Sequence, residues 1–460
     1  MNECIFIILG ATGDLTKRKL IPAIYKLIKN KKIEKFAIIG VASSQTDINT
    51  IIENSKEFIS ESELNLEIIN KLKNNSYYYR LDFYNSSDYQ NFKNLIEQIE
   101  LKHSLCCNKI FYFATLPEHF KTLTENLAKY KIVEKHESAF QCSRCKHPWS
   151  RIVYEKPFGN DLKSAKEINK CISRLFYEKQ IYRIDHYLGK ELVGNIAIAR
   201  FTNTIFEPLW NNKYIESVQI TLSEKIGIEG RGKFYNEYGA IKDIIQNHAL
   251  QILALVTMEQ PKTLTTEDVR DAKSKIFKKV KIEKTLLGQY EGYTEEKNVD
   301  HESKTETFAA IKLYINNKRW KNVPFYIKTG KYLDKKESSI TIKFKPIKCL
   351  LPEHCPTDSN KLIIKIEPDE GFYLELNAKV PGRTYLTTPV IMNFCHSCLF
   401  GPNSPAAYEN LLYDVINGDQ FAFVRSDEIE LSWKIVEQID KSKLKLYKYK
   451  KGSTGPTINL

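Results

Sequence analysis

Within residues 183–190 the chain places a carboxylate, an imidazole, a phenol and an ammonium group close together, as Asp185, His186, Tyr187 and Lys190. We expect a helix to begin near His186. His186 and Lys190 then stand at i and i+4 on one face, where two cations repel each other unless an anion lies between them. Backbone N–H groups at a helix start also attract anions. The spacing therefore predicts a phosphate site and leaves Asp185 for a second task, the alternative being that Asp185 only caps a solvated helix.

A histidine farther along the chain is the candidate general base. Residues 239–258 have a helical pattern, and His248 lies on its apolar stripe. The other members of the stripe are Ile241, Ile245, Ile252 and Leu255. His248 is therefore predicted to face inward, either as a hydrogen-bonded core residue or as a base that a carboxylate orients. Asp243 is five residues away, roughly 140° around an α-helix, so Asp185 is the candidate partner.

Several other charged residues are candidates for binding a polar ligand. Glu224, which follows an apolar segment, and Asp243 offer acceptors for sugar hydroxyl groups. Lys331 and Lys336 bring positive charge next to a glycine turn. Taken alone, each of these residues is more often an ordinary charged surface residue.

The elements that position these groups begin with a dinucleotide-binding pattern. Residues 4–9 form an apolar run of strand length, followed by a turn that contains Gly10, Thr12, Gly13, Asp14 and Leu15, and then by a helical pattern. Strand, glycine turn and helix in this order are typical of a Rossmann unit, whose helix start binds the pyrophosphate. The motif departs from G-x-G-x-x-G, and other strand-to-helix turns also contain glycine.

The end of the second predicted strand, residues 35–42, bears on the choice of cofactor. An acidic residue here favours NAD, and an arginine favours NADP. The chain has Ser43, Ser44 and Gln45 instead, so these residues leave the choice open, with Lys17 or Arg18 as possible sources of charge.

Lys156 follows a further predicted strand, residues 151–154, at the strand end where ligands bind in doubly wound sheets. The next residue is a proline, which restricts the lysine backbone. Strands at residues 217–223, 307–315, 340–344, 361–366 and 372–378 predict one large, mainly antiparallel sheet in the second half. We therefore predict a Rossmann α/β domain over residues 1–178 and an α+β domain over residues 179–460.

Composition restricts the class of protein. The chain has 460 residues, 42% hydrophobic and 27% charged, and no apolar run near the roughly 20 residues that span a bilayer. The net charge of +13 comes mainly from scattered lysines, so we expect no nucleic-acid or membrane partner and a cytoplasmic protein. The ten cysteines predict reduced thiols. Cys142, Cys145 and His147 supply at most three zinc ligands. Cys106, Cys107 or His136 could complete a site, but a cysteine-bearing surface insertion is favoured, so we predict no metal.

The chain resembles the glucose-6-phosphate dehydrogenase family along nearly its whole length. The motifs lie at residues 10–15, 111–117, 155–159, 183–190, 206–211, 229–232, 243–248 and 324–331, and the run at residues 183–190 is the most specific. The resemblance implies that His248 removes the proton from the anomeric hydroxyl group of glucose 6-phosphate, that Asp185 orients His248, and that hydride passes from C1 to the nicotinamide to give the lactone. His186, Tyr187 and Lys190 then bind the phosphate, and Lys156 bridges sugar and nicotinamide. Glu224, Asp243 and Lys331 match sugar-contacting positions.

Departures from the family pattern concern the two ligands. Ser43 replaces the arginine of NADP-using members, so NADP is expected with NAD possible, and Lys336 replaces an arginine near the substrate phosphate. Glu337, Thr341 and Glu367 replace groups that animal members use for a second nucleotide or the substrate, so we predict no second nucleotide site. The family implies a homodimer or homotetramer. The alternatives are a Rossmann-type NAD(P)-dependent oxidoreductase for another sugar, and a nucleic-acid-binding protein without turnover.

Overall fold

The computed structural model describes residues 3–135, 148–348, 350–351, 359–383, 385–401 and 405–456. The chain divides into two compact units. The first comprises Met1–Gly189, Thr265–Glu267 and Pro405–Ile429, and the second comprises Lys190–Leu264, Asp268–Ser404 and Glu430–Leu460. The boundary predicted after residue 178 differs from this division, because residues 181–184 still form a strand of the first sheet.

The strands of the described chain are β1 (Glu3–Leu9), β2 (Lys35–Ala42), β3 (Ser76–Arg80), β4 (Lys109–Phe113), β5 (Ser150–Tyr154), β6 (Ile181–Ile184), β7 (Ile215–Ser223), β8 (Val280–Tyr290), β9 (Phe308–Ile315), β10 (Phe325–Gly330), β11 (Glu337–Phe344), β12 (Lys361–Glu367), β13 (Gly371–Lys379), β14 (Thr387–Cys395), β15 (Phe423–Val424) and β16 (Leu446–Tyr449). The α-helices are α1 (Ile21–Lys29), α2 (Ile48–Ser55), α3 (Leu66–Asn74), α4 (Asp88–Lys102), α5 (Phe120–Lys129), α6 (Leu162–Leu175), α7 (Glu191–Thr202), α8 (Gly232–Ala240), α9 (Leu250–Thr257), α10 (Thr266–Phe277), α11 (His396–Phe400), α12 (Ala407–Asn417) and α13 (Ser426–Val436). Two segments, Thr16–Leu20 and Ile241–Ala249, are π-helical.

The first unit contains the predicted Rossmann sheet. Its strand order is β15-β6-β5-β4-β1-β2-β3, and β1 to β6 are all parallel, with β15 antiparallel at the edge. Nearly every residue of β1, β2 and β4 is buried, as expected for parallel strands that are covered on both faces. The order reverses between β1 and β4, so the carboxyl ends of these strands form the usual position for a ligand.

The second unit contains one large sheet, as predicted. Its order is β14-β13-β12-β11-β7-β10-β9-β8-β16, and only the β7–β10 and β8–β16 pairs are parallel. In β12, buried and half-buried residues alternate, which is the pattern of a strand with one face on the core. Four strands of this sheet, β8, β10, β14 and β16, were not predicted from the sequence.

The helix predicted over residues 239–258 is three segments in the structure. α8 contains Gly239 with φ 62°, outside the helical region, so the helical path bends there. The π-helix Ile241–Ala249 follows, and α9 completes the run. All five residues of the predicted stripe, including His248, are buried, so the inward orientation of this face is confirmed.

Two cysteine predictions have different outcomes. Cys395 and Cys398 are joined by a disulfide at the junction of β14 and α11, so the prediction of reduced thiols is wrong for this pair. The helical turn that begins after Cys395 brings the two residues close together. Cys142, Cys145 and His147 lie outside the described residues. None of the described helices is long and apolar enough to cross a bilayer.

Candidate active site

The glycine turn after β1 lies against the residue that follows β4, which requires that Gly10 has no side chain. Gly10 has φ +97°, and a Cβ atom there would lie 2.3 Å from the carbonyl oxygen of Ala114. The turn is closed by a hydrogen bond from Gly13 N to Gly10 O at 3.0 Å. Thr12 and Asp14 are exposed, while Gly13 and Leu15 are half-buried. This cradle at the start of a helix fits the pyrophosphate of a dinucleotide.

Next to this turn, Ser43 is exposed directly after β2. The two cations considered for this position have carboxylate partners. Lys17 forms an ion pair with Glu57, and Arg18 lies 3.2 Å from Asp14. Each of these two cations is therefore already paired with a carboxylate.

Lys156 follows β5 and is half-buried, at the strand end where the sequence analysis placed it. The preceding Glu155 is buried and accepts hydrogen bonds from Tyr112 at 2.5 Å and Tyr408 at 3.1 Å. Burial raises the pKa of Glu155, although both phenols act in the opposite direction. The sequence did not indicate this buried cluster, because Tyr408 is more than two hundred positions from Glu155. Only the adjacent Lys156 was predicted to have a role.

Asp185 follows β6 in a turn and not in a helix. Its Oδ1 accepts a hydrogen bond from Tyr187 N at 3.0 Å, and its carbonyl oxygen accepts one from Leu188 N at 3.0 Å. α7 begins only at Glu191, so the prediction of a helix starting near His186 is wrong. His186 and Lys190 therefore do not share the face of one helix, as the i, i+4 spacing had predicted. Asp185 itself is buried, while His186 and Tyr187 are half-buried.

In the second unit, Lys190 and Lys336 share one carboxylate. Lys190, the residue before α7, donates a hydrogen bond to Glu367 at the end of β12, and Lys336 lies 3.1 Å from the same side chain. α7 packs against β12, which explains the proximity of Lys190 to Glu367. Burial acts to raise the pKa of Glu367, but the two lysines outweigh it and the pKa is lowered. Burial also lowers the pKa of Lys190.

Glu224 and Lys331 form an ion pair that the strand register explains. β7 and β10 are parallel, with Ser223 paired to Gly330, so the residue that follows each strand end reaches the same place. Lys331 is buried, whereas the Glu224 side chain is 34% exposed. Both residues were predicted from the sequence to contact a sugar, but their ion pair with each other was not predicted.

The π-helix changes the relation between Asp243 and His248. In a π-helix the backbone hydrogen bond closes at i+5, so residues five apart lie on nearly the same face. The angle of roughly 140° between Asp243 and His248 assumed an α-helix and does not apply to this π-helix. Both are buried. The segment packs on β7 and β10, the strands that carry Glu224 and Lys331.

Tyr235 connects these groups. Its ring centroid lies 5.6 Å from Lys331 Nζ. Burial raises the pKa of Tyr235, and the charge of Asp243 adds to that effect. The second unit thus places the Glu224–Lys331 pair at the ends of the two strands on which the helix of Asp243 and His248 packs, with Lys331 near a buried phenol. The pairing of His248 with Asp185, which belongs to the other unit, stays a prediction.

Comparison with known proteins gives matches over the full chain. Residues 7–195 match the family model "Glucose-6-phosphate dehydrogenase, NAD binding domain", and residues 197–459 match "Glucose-6-phosphate dehydrogenase, C-terminal domain". Glucose-6-phosphate 1-dehydrogenase of Chlamydia pneumoniae is 40% identical over 98% of this chain and 93% of that protein. The Arabidopsis thaliana protein named "Glucose-6-phosphate 1-dehydrogenase 5, cytoplasmic" is 38% identical over 98% of this chain and 89% of its own length. A solved structure of glucose-6-phosphate dehydrogenase in complex with glucose 6-phosphate has a TM-score of 0.89 and 32% identity, and covers 99% of this chain and 96% of that one.

Proposed function

Because the chain belongs to the glucose-6-phosphate dehydrogenase family, we propose that it oxidises D-glucose 6-phosphate at C1 to 6-phospho-D-glucono-1,5-lactone, with NADP as the hydride acceptor. The observation that carries the proposal is the Glu224–Lys331 pair at the ends of the strands on which the π-helix of Asp243 and His248 packs. Carboxylates and an ammonium group around a buried phenol suit the hydroxyl groups of a sugar.

His248 is the general base in this proposal. Its burial keeps the imidazole away from bulk water, and histidine is the side chain that most often serves as a general base. Asp185 is proposed to orient the ring and to stabilise the imidazolium that forms. Its carboxylate is already oriented by the turn, through the bond from Tyr187 N. The bound nicotinamide supplies the hydride acceptor.

His186, Tyr187, Lys190 and Lys336 are proposed to bind the phosphate of the substrate. The pair of lysines in the second unit already holds a carboxylate, Glu367, which supports an anion site at this position. A phosphate dianion offers more acceptor oxygens and more charge than this carboxylate.

NADP is proposed to bind on the first unit. Its pyrophosphate would occupy the turn that contains Gly10, Thr12, Gly13, Asp14 and Leu15. Lys156 would lie between nicotinamide and sugar, and Ser43 would face the adenosine ribose. The positive φ and the close approach of Ala114 O at Gly10 support this placement.

The activity is tested by incubating the purified protein with NADP and either glucose 6-phosphate or glucose, and following absorbance of the reduced cofactor. We expect turnover with the phosphorylated sugar and little with glucose. Equal turnover of both sugars would favour the alternative, an oxidoreductase for a different sugar. Substituting NAD for NADP in the same assay gives the ratio of kcat/KM values for the two cofactors.

We further propose a homodimer or homotetramer that forms through the second sheet. Its edge strand β14 carries exposed apolar side chains at Ile391 and Met392, which are 61% and 62% exposed. An exposed apolar edge strand is a common site of association. Light scattering after size exclusion should show an assembly that Ile391→Asp with Met392→Asp disrupts. Leu66→Asp, at an equally exposed residue of α3, should leave the assembly intact.

The name of the plant relative supports a cytoplasmic location, which we propose for this protein as well. Cell fractionation followed by the dehydrogenase assay tests this. Recovery of the activity with a cytoplasmic marker enzyme is expected, and recovery with membranes would contradict it.

A further inference from the structure

The end of β2 lacks the arginine that an NADP site needs, but the neighbouring strand supplies one. β2 and β3 are parallel, and Ala42, the last residue of β2, is paired with Arg80, the last residue of β3. The Arg80 side chain turns towards the loop after β2, where its Nε donates a hydrogen bond to the carbonyl oxygen of Ser43 at 3.0 Å. The guanidinium is therefore held beside the residue that replaces the family arginine.

Only one edge of this guanidinium is used by the protein. Arg80 is exposed, and within the described residues no hydrogen bond or ion pair engages its Nη1 and Nη2 atoms. Two parallel N–H donors on one edge match the oxygens of a phosphate group. This distinguishes Arg80 from Lys17 and Arg18, which have carboxylate partners.

Two acidic residues, one next to the loop after β2 and one near Arg80 in sequence, are engaged locally. Asp47 caps α2, accepting hydrogen bonds from Asn49 N at 2.8 Å and Thr50 N at 3.0 Å. Asp82 accepts one from Tyr84 N at 3.0 Å. The loop of residues 43–46 contains no carboxylate that would bind a ribose diol and repel a phosphate. The position thus favours a phosphorylated ribose on charge grounds.

We propose that Arg80 binds the 2′-phosphate of the adenosine ribose and thereby makes this chain selective for NADP over NAD. Ser43 keeps its place beside the ribose, with its carbonyl oxygen holding Nε, while Nη1 and Nη2 contact the phosphate. In this chain the arginine that binds the 2′-phosphate is thus at the end of β3, whereas the family pattern has it after β2. The inference rests on the proposed function, because it concerns the cofactor of that reaction.

The test measures binding of cofactor fragments by calorimetry and needs no turnover. The probes are 2′,5′-ADP, which carries the 2′-phosphate, and 5′-AMP, which does not. Wild type should bind 2′,5′-ADP more tightly. Arg80→Gln should weaken 2′,5′-ADP binding by about tenfold or more, as expected for loss of a charge-assisted pair, and leave 5′-AMP binding unchanged.

Two further variants keep the result interpretable. Arg18→Gln removes a neighbouring arginine that has its own carboxylate partner, and it should not change the preference. Ser43→Arg in the Arg80→Gln background places an arginine directly after β2 and should restore the preference.

Three outcomes would overturn the inference. If Arg80→Gln weakens both fragments equally, Arg80 only fastens the loop. If wild type prefers 2′,5′-ADP and Arg80→Gln keeps the full preference, another group binds the phosphate, while the proposed NADP dependence stands. If wild type shows no preference, the proposed use of NADP fails together with the role of Arg80.

Discussion

Lys190 and Glu367 are joined by a hydrogen bond in which Nζ of Lys190 donates to the carboxylate of Glu367. Lys336 approaches the same carboxylate. The Glu367 carboxylate thus occupies the position beside these lysines where the substrate phosphate is proposed to bind. Substrate phosphate and Glu367 compete for the same two lysines.

We therefore expect Glu367→Gln to lower KM for glucose 6-phosphate. The substitution removes a negative charge from the neighbourhood of the phosphate and releases the lysines from an ion pair, which should lower KM by about threefold to tenfold. The kcat value should change little, because Glu367 is proposed to act on binding only. Steady-state kinetics at low ionic strength measures both constants.

Glu375→Gln is the matched control, since it breaks a comparable ion pair of the same sheet, with Lys361 at 3.0 Å. It should leave KM unchanged. An unchanged or increased KM in Glu367→Gln would mean that the carboxylate organises the lysines for the substrate and does not compete with it.

His248→Asn should reduce kcat by roughly 10²–10⁴-fold, the usual contribution of a general base. Asparagine retains a polar group in the buried site, so the variant should fold and still bind glucose 6-phosphate. Stopped-flow or steady-state measurement of hydride transfer gives kcat, and calorimetry gives substrate affinity. His301→Asn, at an exposed residue, should behave as wild type. Retention of more than about a tenth of the wild-type turnover would contradict a role as base.

The sequence predicted the elements that local patterns determine. The apolar run before Gly10 and the glycine turn identified the Rossmann strand and its helix, because fully buried parallel strands are continuously apolar. The strand ending at Ala42 was predicted with its observed bounds. His248 was correctly placed on a buried face, because the apolar stripe extends through the π-helix.

Pairings across long sequence distances were not predictable. Nothing in the local pattern indicates that Tyr408 binds Glu155 or that Glu367 binds Lys190, since each contact depends on how distant elements pack. The π-helix was missed because an apolar stripe at helical spacing does not distinguish i+4 from i+5 hydrogen bonding. The angle between Asp243 and His248 was therefore derived for the wrong type of helix.

Glu155 should make stability depend on pH. Burial raises its pKa above the usual 4.5, so the folded protein binds this proton more tightly than the unfolded chain does. The contribution is therefore most favourable below pH 4.5 and is lost as pH rises through the folded-state pKa. In Glu155→Gln this loss is absent, while the amide oxygen can still accept a hydrogen bond from Tyr112 or Tyr408.

Thermal unfolding is measured between about pH 5 and about pH 8, a range that lies above the ordinary pKa of a glutamate side chain. The melting temperature of wild type relative to Glu155→Gln should fall as pH rises. Glu34→Gln, at an exposed position, should run parallel to wild type. A difference between wild type and Glu155→Gln that grows in the opposite direction would show that Glu155 is stabilised as a carboxylate.

Gly10→Ala should destabilise the first unit and abolish nucleotide binding. The added Cβ would lie 2.3 Å from the backbone oxygen of Ala114, which cannot move without displacing the end of β4. The positive φ adds strain for any residue with a side chain. Together we expect a loss of about 2–4 kcal/mol, from overpacking and backbone strain. Denaturant unfolding measures the stability, and calorimetry with 2′,5′-ADP measures binding.

Gly194→Ala separates the effect of the site from that of replacing any glycine. Gly194 lies within α7, and an added Cβ there meets no atom within 4 Å. Alanine should stabilise the helix by about 0.5–1 kcal/mol because it restricts the unfolded backbone. If Gly10→Ala proved as well tolerated as Gly194→Ala and still bound 2′,5′-ADP, the turn would have to open away from Ala114. The pyrophosphate cradle would then not depend on the close approach of β1 and β4.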